Sequence, residues 1–374
     1  MKKKKHKHHN FYTIFSFMLF LFLLSGCEKE YSDHQTIQKP KEPIMELKPI
    51  HVDNGEFEKV AGWFDNHTIL YITKNDQEFQ VYKYNITSGK QSLFFNSKDS
   101  IKTVKIGPDR SKVLIQTAPL SNLARIYILD DAGKTIYSKD IESFDLTYNW
   151  NKENPQLLAL TIFYEDWTYK VEVLQLNQLQ MTEYVFDDPF VKWFGSHSLI
   201  MQNRNKEDSS APSNLISYNL KQVDQPKTLK TNLYQFDTYK DLLMTVEVNP
   251  QAKEEAIYHF YNKSLKDKFS FRVPHLSQFN EWLVPFNDYL EKDKHFLSFI
   301  PYESGSIDQY DQDYKLISFD IENQKEKVLF KNLKNEPITC SPNEKLCLYG
   351  YQFENIIDLK GKRVIPLVKE IEEI

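Results

Sequence analysis

Trp63-Phe64-Asp65-Asn66-His67-Thr68-Ile69-Leu70 returns 130 residues later as Trp193-Phe194-Gly195-Ser196-His197-Ser198-Leu199-Ile200. Each stretch reads as a strand ending in an aromatic residue, a tight polar turn and a second, apolar strand. A variant of the same unit occurs at Val104-Lys105-Ile106-Gly107-Pro108-Asp109-Arg110-Ser111-Lys112-Val113-Leu114 and at Ile338-Thr339-Cys340-Ser341-Pro342-Asn343-Glu344-Lys345-Leu346-Cys347-Leu348. Taking the residue before the turn as an anchor gives Trp63, Ile106, Trp150, Trp193, Phe236, Phe286 and Cys340, spaced by 43, 44, 43, 43, 50 and 54 residues. A second hairpin follows most anchors by some twenty residues, as in Tyr82-Lys83-Tyr84-Asn85-Ile86-Thr87-Ser88-Gly89-Lys90 and Leu316-Ile317-Ser318-Phe319-Asp320-Ile321. Four strands in about 43 residues is the size of a β-propeller blade. The expectation is an all-β chain, a propeller of seven four-stranded units, with six as the alternative count.

Outward from the repeat, short apolar runs rich in Val, Ile, Tyr, Phe and Leu alternate with polar clusters from Phe57 to the C-terminus, with almost no helical period. The whole chain has 374 residues, 41% of them hydrophobic, but only 10 Gly and 3 Cys. Glycine-rich phosphate loops and disulfide-dense scaffolds are thereby excluded.

The N-terminus carries an address. Lys2 to Lys5 and Lys7 precede the apolar stretch Phe11 to Leu24, and Leu24-Ser25-Gly26-Cys27 follows. Fourteen helical residues reach about 21 Å, short of a ~30 Å hydrocarbon core, so the pattern is a signal peptide over 1–26. The tetrad resembles a bacterial lipobox, which implies a diacylglycerol on Cys27; two acyl chains suffice for stable anchoring. Residues 27–50, polar and carrying Pro40, Pro43 and Pro49, read as the lipidated cysteine and a flexible linker, and 51–370 as the propeller domain. His6, Lys7, His8 and His9 leave with the signal peptide. Its removal takes five lysines and no acid, changing the net charge from −5 to −10. That average predicts repulsion from nucleic acid and from anionic headgroups by the folded part.

With its lipobox and its blades, the chain resembles the YqgU-like lipoproteins of low-GC Gram-positive bacteria, and its strand-turn-strand units are similar to those of TolB-type propellers. The resemblance implies a six-bladed description and a lipid-anchored location on the outer face of the cytoplasmic membrane. It implies no chemistry.

Catalytic signals are sparse. No Gly-x-Ser-x-Gly elbow is present. His67 and His197 hold equivalent turn positions, which marks them as part of the repeat. The stretch Asp308 to Asp313 lacks the spacing of a calcium loop, and Glu165-Asp166-Trp167 cannot by itself set the separation that two glycosidase carboxylates need. No catalytic residue, metal or cofactor is assigned. Cys340 and Cys347 fall on facing strands of one hairpin; a disulfide and a pair of buried small hydrophobes are both open.

Function is therefore sought on a surface. In a propeller the loops joining second and third strands share a face with the inter-blade connections. The longer of these loops, Tyr164 to Tyr169, Asn203 to Asn214, Asn249 to Glu255 and Tyr302 to Tyr314, fall on units three to six. The expected binding rim comprises Glu165, Asp166, Trp167, Tyr169, Arg204, Tyr302, Glu303, Asp308, Tyr310 and Asp311, an acidic surface with exposed aromatics. The partner it suits is an unidentified protein or envelope polymer, with the membrane reached through the lipid anchor. The reading is a membrane-anchored, non-enzymatic interaction or ligand-binding module. The alternative is a protein that binds, or an enzyme that acts on, an envelope polysaccharide or polymer; an enzyme would place acids or a nucleophile with perturbed pKa values at the channel mouth.

Overall fold

The computed structural model describes residues 46–52, 55–76, 78–204, 211–248, 254–278 and 281–369. The signal peptide, Cys27 and the linker up to residue 45 lie outside the described residues.

Seven four-stranded antiparallel sheets follow one another along the chain, at 56–97, 100–142, 145–184, 192–233, 235–274, 287–333 and 338–366. Each is a meander of successive strands. The reason is visible in the burial gradient across a sheet. Second strands such as Leu157–Phe163 and His295–Ile300 are apolar and almost wholly buried, because neighbouring sheets cover both of their faces. Fourth strands such as Gln91–Ser97 and Lys325–Leu333 are polar and exposed at the rim. A single sheet cannot hide its second strand alone, so sheets must stack face to face.

Seven hydrophobic clusters do that stacking, and each is shared by two successive sheets. The cluster of Val60, Trp63, Ile69, Tyr71 and Tyr84 with Leu346, Leu348 and Ile356 joins the last sheet to the first. The sheets are therefore the blades of a closed ring. Among the described residues no blade borrows a strand from the opposite terminus. Closure relies on that cluster and on the segment before blade one, where Ile50 pairs in parallel with Val368.

Two anchors move. The innermost strands end at Trp63, Ile106, Trp150, Trp193 and Cys340 as expected, but at Thr238 and Leu290 instead of Phe236 and Phe286. Phe286 precedes its strand and is exposed. A small extra sheet of Leu276–Gln278, Glu281–Leu283 and Gly305–Ser306 is inserted between blades five and six, which lengthens the step and obscures the register.

The scarcity of glycine also has a counterpart in the backbone. Arg110, Trp167, Leu179, Leu265, Lys294, Glu344 and Lys362 adopt left-handed φ values between 50° and 64° in tight connections where glycine is the usual choice.

Candidate interaction face

The meander fixes two faces. Turns between first and second and between third and fourth strands lie on one, the turn face; loops between second and third strands and the inter-blade connections lie on the other, the loop face. Hydrogen bonds confirm the grouping. On the loop face Ser143 N–H donates to the Asn122 carbonyl and Gly350 N–H to that of Pro337; on the turn face Ile86 N–H donates to the carbonyl of His67 and Leu220 N–H to that of His197. The two histidines thus hold the same turn in blades one and four.

The loops of the expected rim do fall on the loop face of four consecutive blades, although 205–210 and 249–253 lie outside the described residues. Their side chains behave differently from one another. Trp167 is 84% exposed at the tip of its hairpin, where Tyr164 and Thr168 close the turn and the Asp166 carboxylate accepts bonds from both the N–H and the hydroxyl of Thr168. Those bonds hold the Asp166 carboxyl below its usual range. Glu165, Glu303, Asp308 and Asp311 are exposed. Gln278 donates to Asp308 over 3.3 Å, and Gln312 to Glu303 over 2.7 Å. Tyr169 donates to the Phe186 carbonyl. Arg204 lies 3.8 Å from Asp188 and stacks over Phe190. Burial raises the Asp188 carboxyl, opposed by the Phe190 N–H and by Arg204.

Tyr310 is not a free ring. It packs on Tyr314 and into the cluster between blades six and seven, while its hydroxyl accepts from Tyr302 N–H and donates to the Asp313 carbonyl. Half-buried, it braces the loop, and Tyr302 beside it is the more exposed ring. The acidic stretch around it is pinned at Asp313 by Lys334 over 2.7 Å. Among the described residues no three His, Cys, Asp or Glu side chains are grouped so as to hold a metal.

The surface missed at the sequence level is apolar. Leu120, Phe144, Trp167, Val185, Phe190, Phe286, Tyr302 and Tyr351 are exposed, and all sit on the loop face or at its strand ends. Of the other exposed large hydrophobics described, four are on outer strands and one, Leu179, is on the turn face. Phe163 links part of the set: its carbonyl accepts from Phe144 N–H and its ring packs against Phe190 at 6.0 Å. A groove of about 600 Å³ between blades two and three is bounded by Lys102, Gln116, Pro119, Leu120 and Phe144. The exposed apolar side chains therefore begin at blade two, one blade earlier than the long loops indicated. Their sequence signal was an apolar residue beside Pro or Asp in a connection, as in Asp187-Asp188-Pro189-Phe190.

On the turn face the innermost strands end around the channel mouth, in adjoining cavities of about 280 and 510 Å³. Arg110, Lys152, Lys240 and Lys292 line it together with Glu291, Glu344 and Asp288, whose carboxyl burial pushes up to about 6. Both oxygens of Asp288 are already used, one by Tyr289 N–H and the other by Cys340 N–H across the blade boundary, so the group ties blade seven to blade six. Cys340 pairs directly with Cys347 and is disulfide-bonded to it, with the Cα atoms 3.8 Å apart.

The description of a YqgU-like six-bladed β-propeller domain matches residues 85–350. The chain belongs to this family. The matched span covers blades two to six whole and parts of blades one and seven; the family is described as six-bladed, whereas the described residues of this chain form seven four-stranded sheets. An uncharacterized lipoprotein YqgU of Bacillus subtilis strain 168 is 25% identical over 95% of this chain and 96% of its own. The structure of an uncharacterized protein, lmo1340, from Listeria monocytogenes EGD-e superposes with a TM-score of 0.80, at 26% identity, over 88% of this chain and 99% of that one. The propeller domain of a trilobed protease from Pyrococcus furiosus, described as having an open velcro topology, shares the fold alone, with a TM-score of 0.57 at 10% identity over 87% and 99% of the two chains.

Proposed function

We propose that this family member is a membrane-anchored extracytoplasmic lipoprotein, held by Cys27 on the outer face of the cytoplasmic membrane of a Gram-positive bacterium, whose propeller is a non-enzymatic docking module working through its loop face. The observation that carries the reading is the segregation of exposed large hydrophobics onto that one face. Exposed aromatics are the usual energetic centres of interfaces. The lipobox and the lipoprotein name of the Bacillus relative support the anchor. Exposed carboxylates around the apolar residues favour a protein partner that presents an apolar patch bordered by Lys and Arg.

The test is capture from membranes of the native host by wild type, by a loop-face variant (Trp167→Gly, Phe190→Ser, Asp308→Lys, Asp311→Lys) and by a turn-face variant (Lys221→Glu, Lys266→Glu). Loss of the captured protein in the loop-face variant alone supports the reading; equal capture by all three contradicts it. The exposed ring of Trp167 also suits stacking on a sugar. Competition by soluble envelope polysaccharide would favour that second reading.

A further inference from the structure

The turn face has the opposite electrical character to the loop face. Among described residues outside strands, the turns carry eleven exposed lysines against five exposed carboxylates, whereas the loops and connections carry three exposed cations against eight exposed carboxylates. Several turn-face acids that are less exposed are also engaged: Glu153 pairs with Lys263, Asp241 with Lys294, and Glu344 accepts from the N–H groups of Lys292 and Asp293. The lysines, among them Lys90, Lys221, Lys266, Lys345 and Lys362, are spread over all seven blades. Strands of seven residues separate the faces by about 23 Å, well beyond the ~8 Å screening length at physiological salt. Each face therefore meets its surroundings with its own sign, and the net charge of the chain describes neither.

The chain also enters the domain from the turn face. Lys48 N–H donates to the Ile86 carbonyl at the turn after the third strand of blade one, and Tyr84 donates to the Lys48 and Pro49 carbonyls. From there Ile50 runs parallel to Val368 toward the loop face, where Glu56 starts the first strand opposite Lys74. The first described residues, Glu46 to Lys48, thus enter the domain on the lysine-rich side.

We propose that the turn face is a docking surface for the anionic headgroups of a bilayer, so that the domain lies with its lysines on the membrane and its apolar, acidic loop face directed away. Basic residues close to a membrane surface are attracted by its negative potential, and the attraction decays within a screening length. The apolar loop face is then presented to partners in the space beyond the membrane. The inference rests on the anchored-lipoprotein reading.

The test uses the full chain purified from membranes with its anchor, carrying a fluorophore at Lys266→Cys or at Glu165→Cys, and reconstituted on vesicles that contain a headgroup-attached quencher. On vesicles of equal parts phosphatidylglycerol and phosphatidylcholine, the position-266 probe is quenched at least threefold more than the position-165 probe. The difference collapses on phosphatidylcholine alone, in 1 M salt, and in the Lys90→Glu, Lys221→Glu, Lys362→Glu variant, which keeps its thermal midpoint. Equal quenching at both positions on anionic vesicles overturns the orientation. A difference unaffected by salt, lipid charge or the lysine reversals shows tether geometry alone and overturns the electrostatic docking. Protein that floats with neither vesicle shows instead that the anchored reading itself fails, and the proposal falls with it.

Discussion

The indole N–H of Trp63 donates to the carbonyl of Thr339, 276 residues away, over 2.9 Å. Trp193 makes the same bond to Asn149 over 2.8 Å. In both cases the acceptor is the residue just before the end of the preceding blade's innermost strand, so the contact between blades seven and one repeats the contact between blades three and four. The ring closes by an ordinary blade interface. No shared strand is needed, because the same aromatic anchor satisfies the same kind of carbonyl at both places.

Trp63→Phe and Trp193→Phe should consequently cost similar stability. Each removes a donor from a part-buried carbonyl, worth about 1–2 kcal/mol. Urea unfolding measures it. A wild-type midpoint for Trp63→Phe beside a lowered one for Trp193→Phe would mean that the closing interface is looser than the others.

Asp288 sets a pH dependence. Burial raises its carboxyl to about 6 in the folded protein, above its ordinary 3.8. Between those values the native state holds the proton that the unfolded state has released, so this group's contribution to stability falls as pH rises from about 4 to 6 and then stays level. The scale is about 3 kcal/mol. Asp288→Asn removes the titration, keeping an acceptor for Cys340 N–H at the cost of the one for Tyr289 N–H, and should flatten that window; the reverse slope in thermal unfolding against pH would contradict the assignment.

Reduction of the Cys340–Cys347 bond should cost about 2 kcal/mol or less, because a sequence separation of only seven residues closes a short loop. Alkylation at both cysteines only after treatment with dithiothreitol, with a small fall in the urea midpoint, is the expected result. Alkylation of native, untreated protein would show free thiols.

Trp167 stands at φ 64°, a conformation that glycine adopts without steric cost. Trp167→Gly should leave stability unchanged or raise it by about 1 kcal/mol while weakening partner capture at least tenfold. A large loss of stability would mean that the ring contributes to packing despite its exposure.

The repeat was legible because Trp63 and Trp193 each need the same partner and the same turn, which forces similar residues into register. Phe236 and Phe286 misled because an aromatic two or four residues off the strand end resembles an anchor, and the inserted sheet at 276–283 has no period of its own. The exposed patch was only partly legible. Trp167 lies in a recognisable loop, but Val185 and Phe190 have the composition of core residues and become surface only when the connection between blades is laid over the loop face. Tyr310 erred the other way, reading as surface while bracing the interior. The opposite signs of the two faces alternate along the chain from turn to loop, so averaging over the sequence cancels them.

Site-specific photocrosslinking in living cells of the native host reads whether the loop face is the working face. A photoreactive side chain is placed at Trp167, at Phe190, and at Lys221 on the turn face. One discrete protein adduct common to positions 167 and 190 and absent from position 221 is the expected result. An adduct formed at position 221 and missing from both loop-face positions would contradict it.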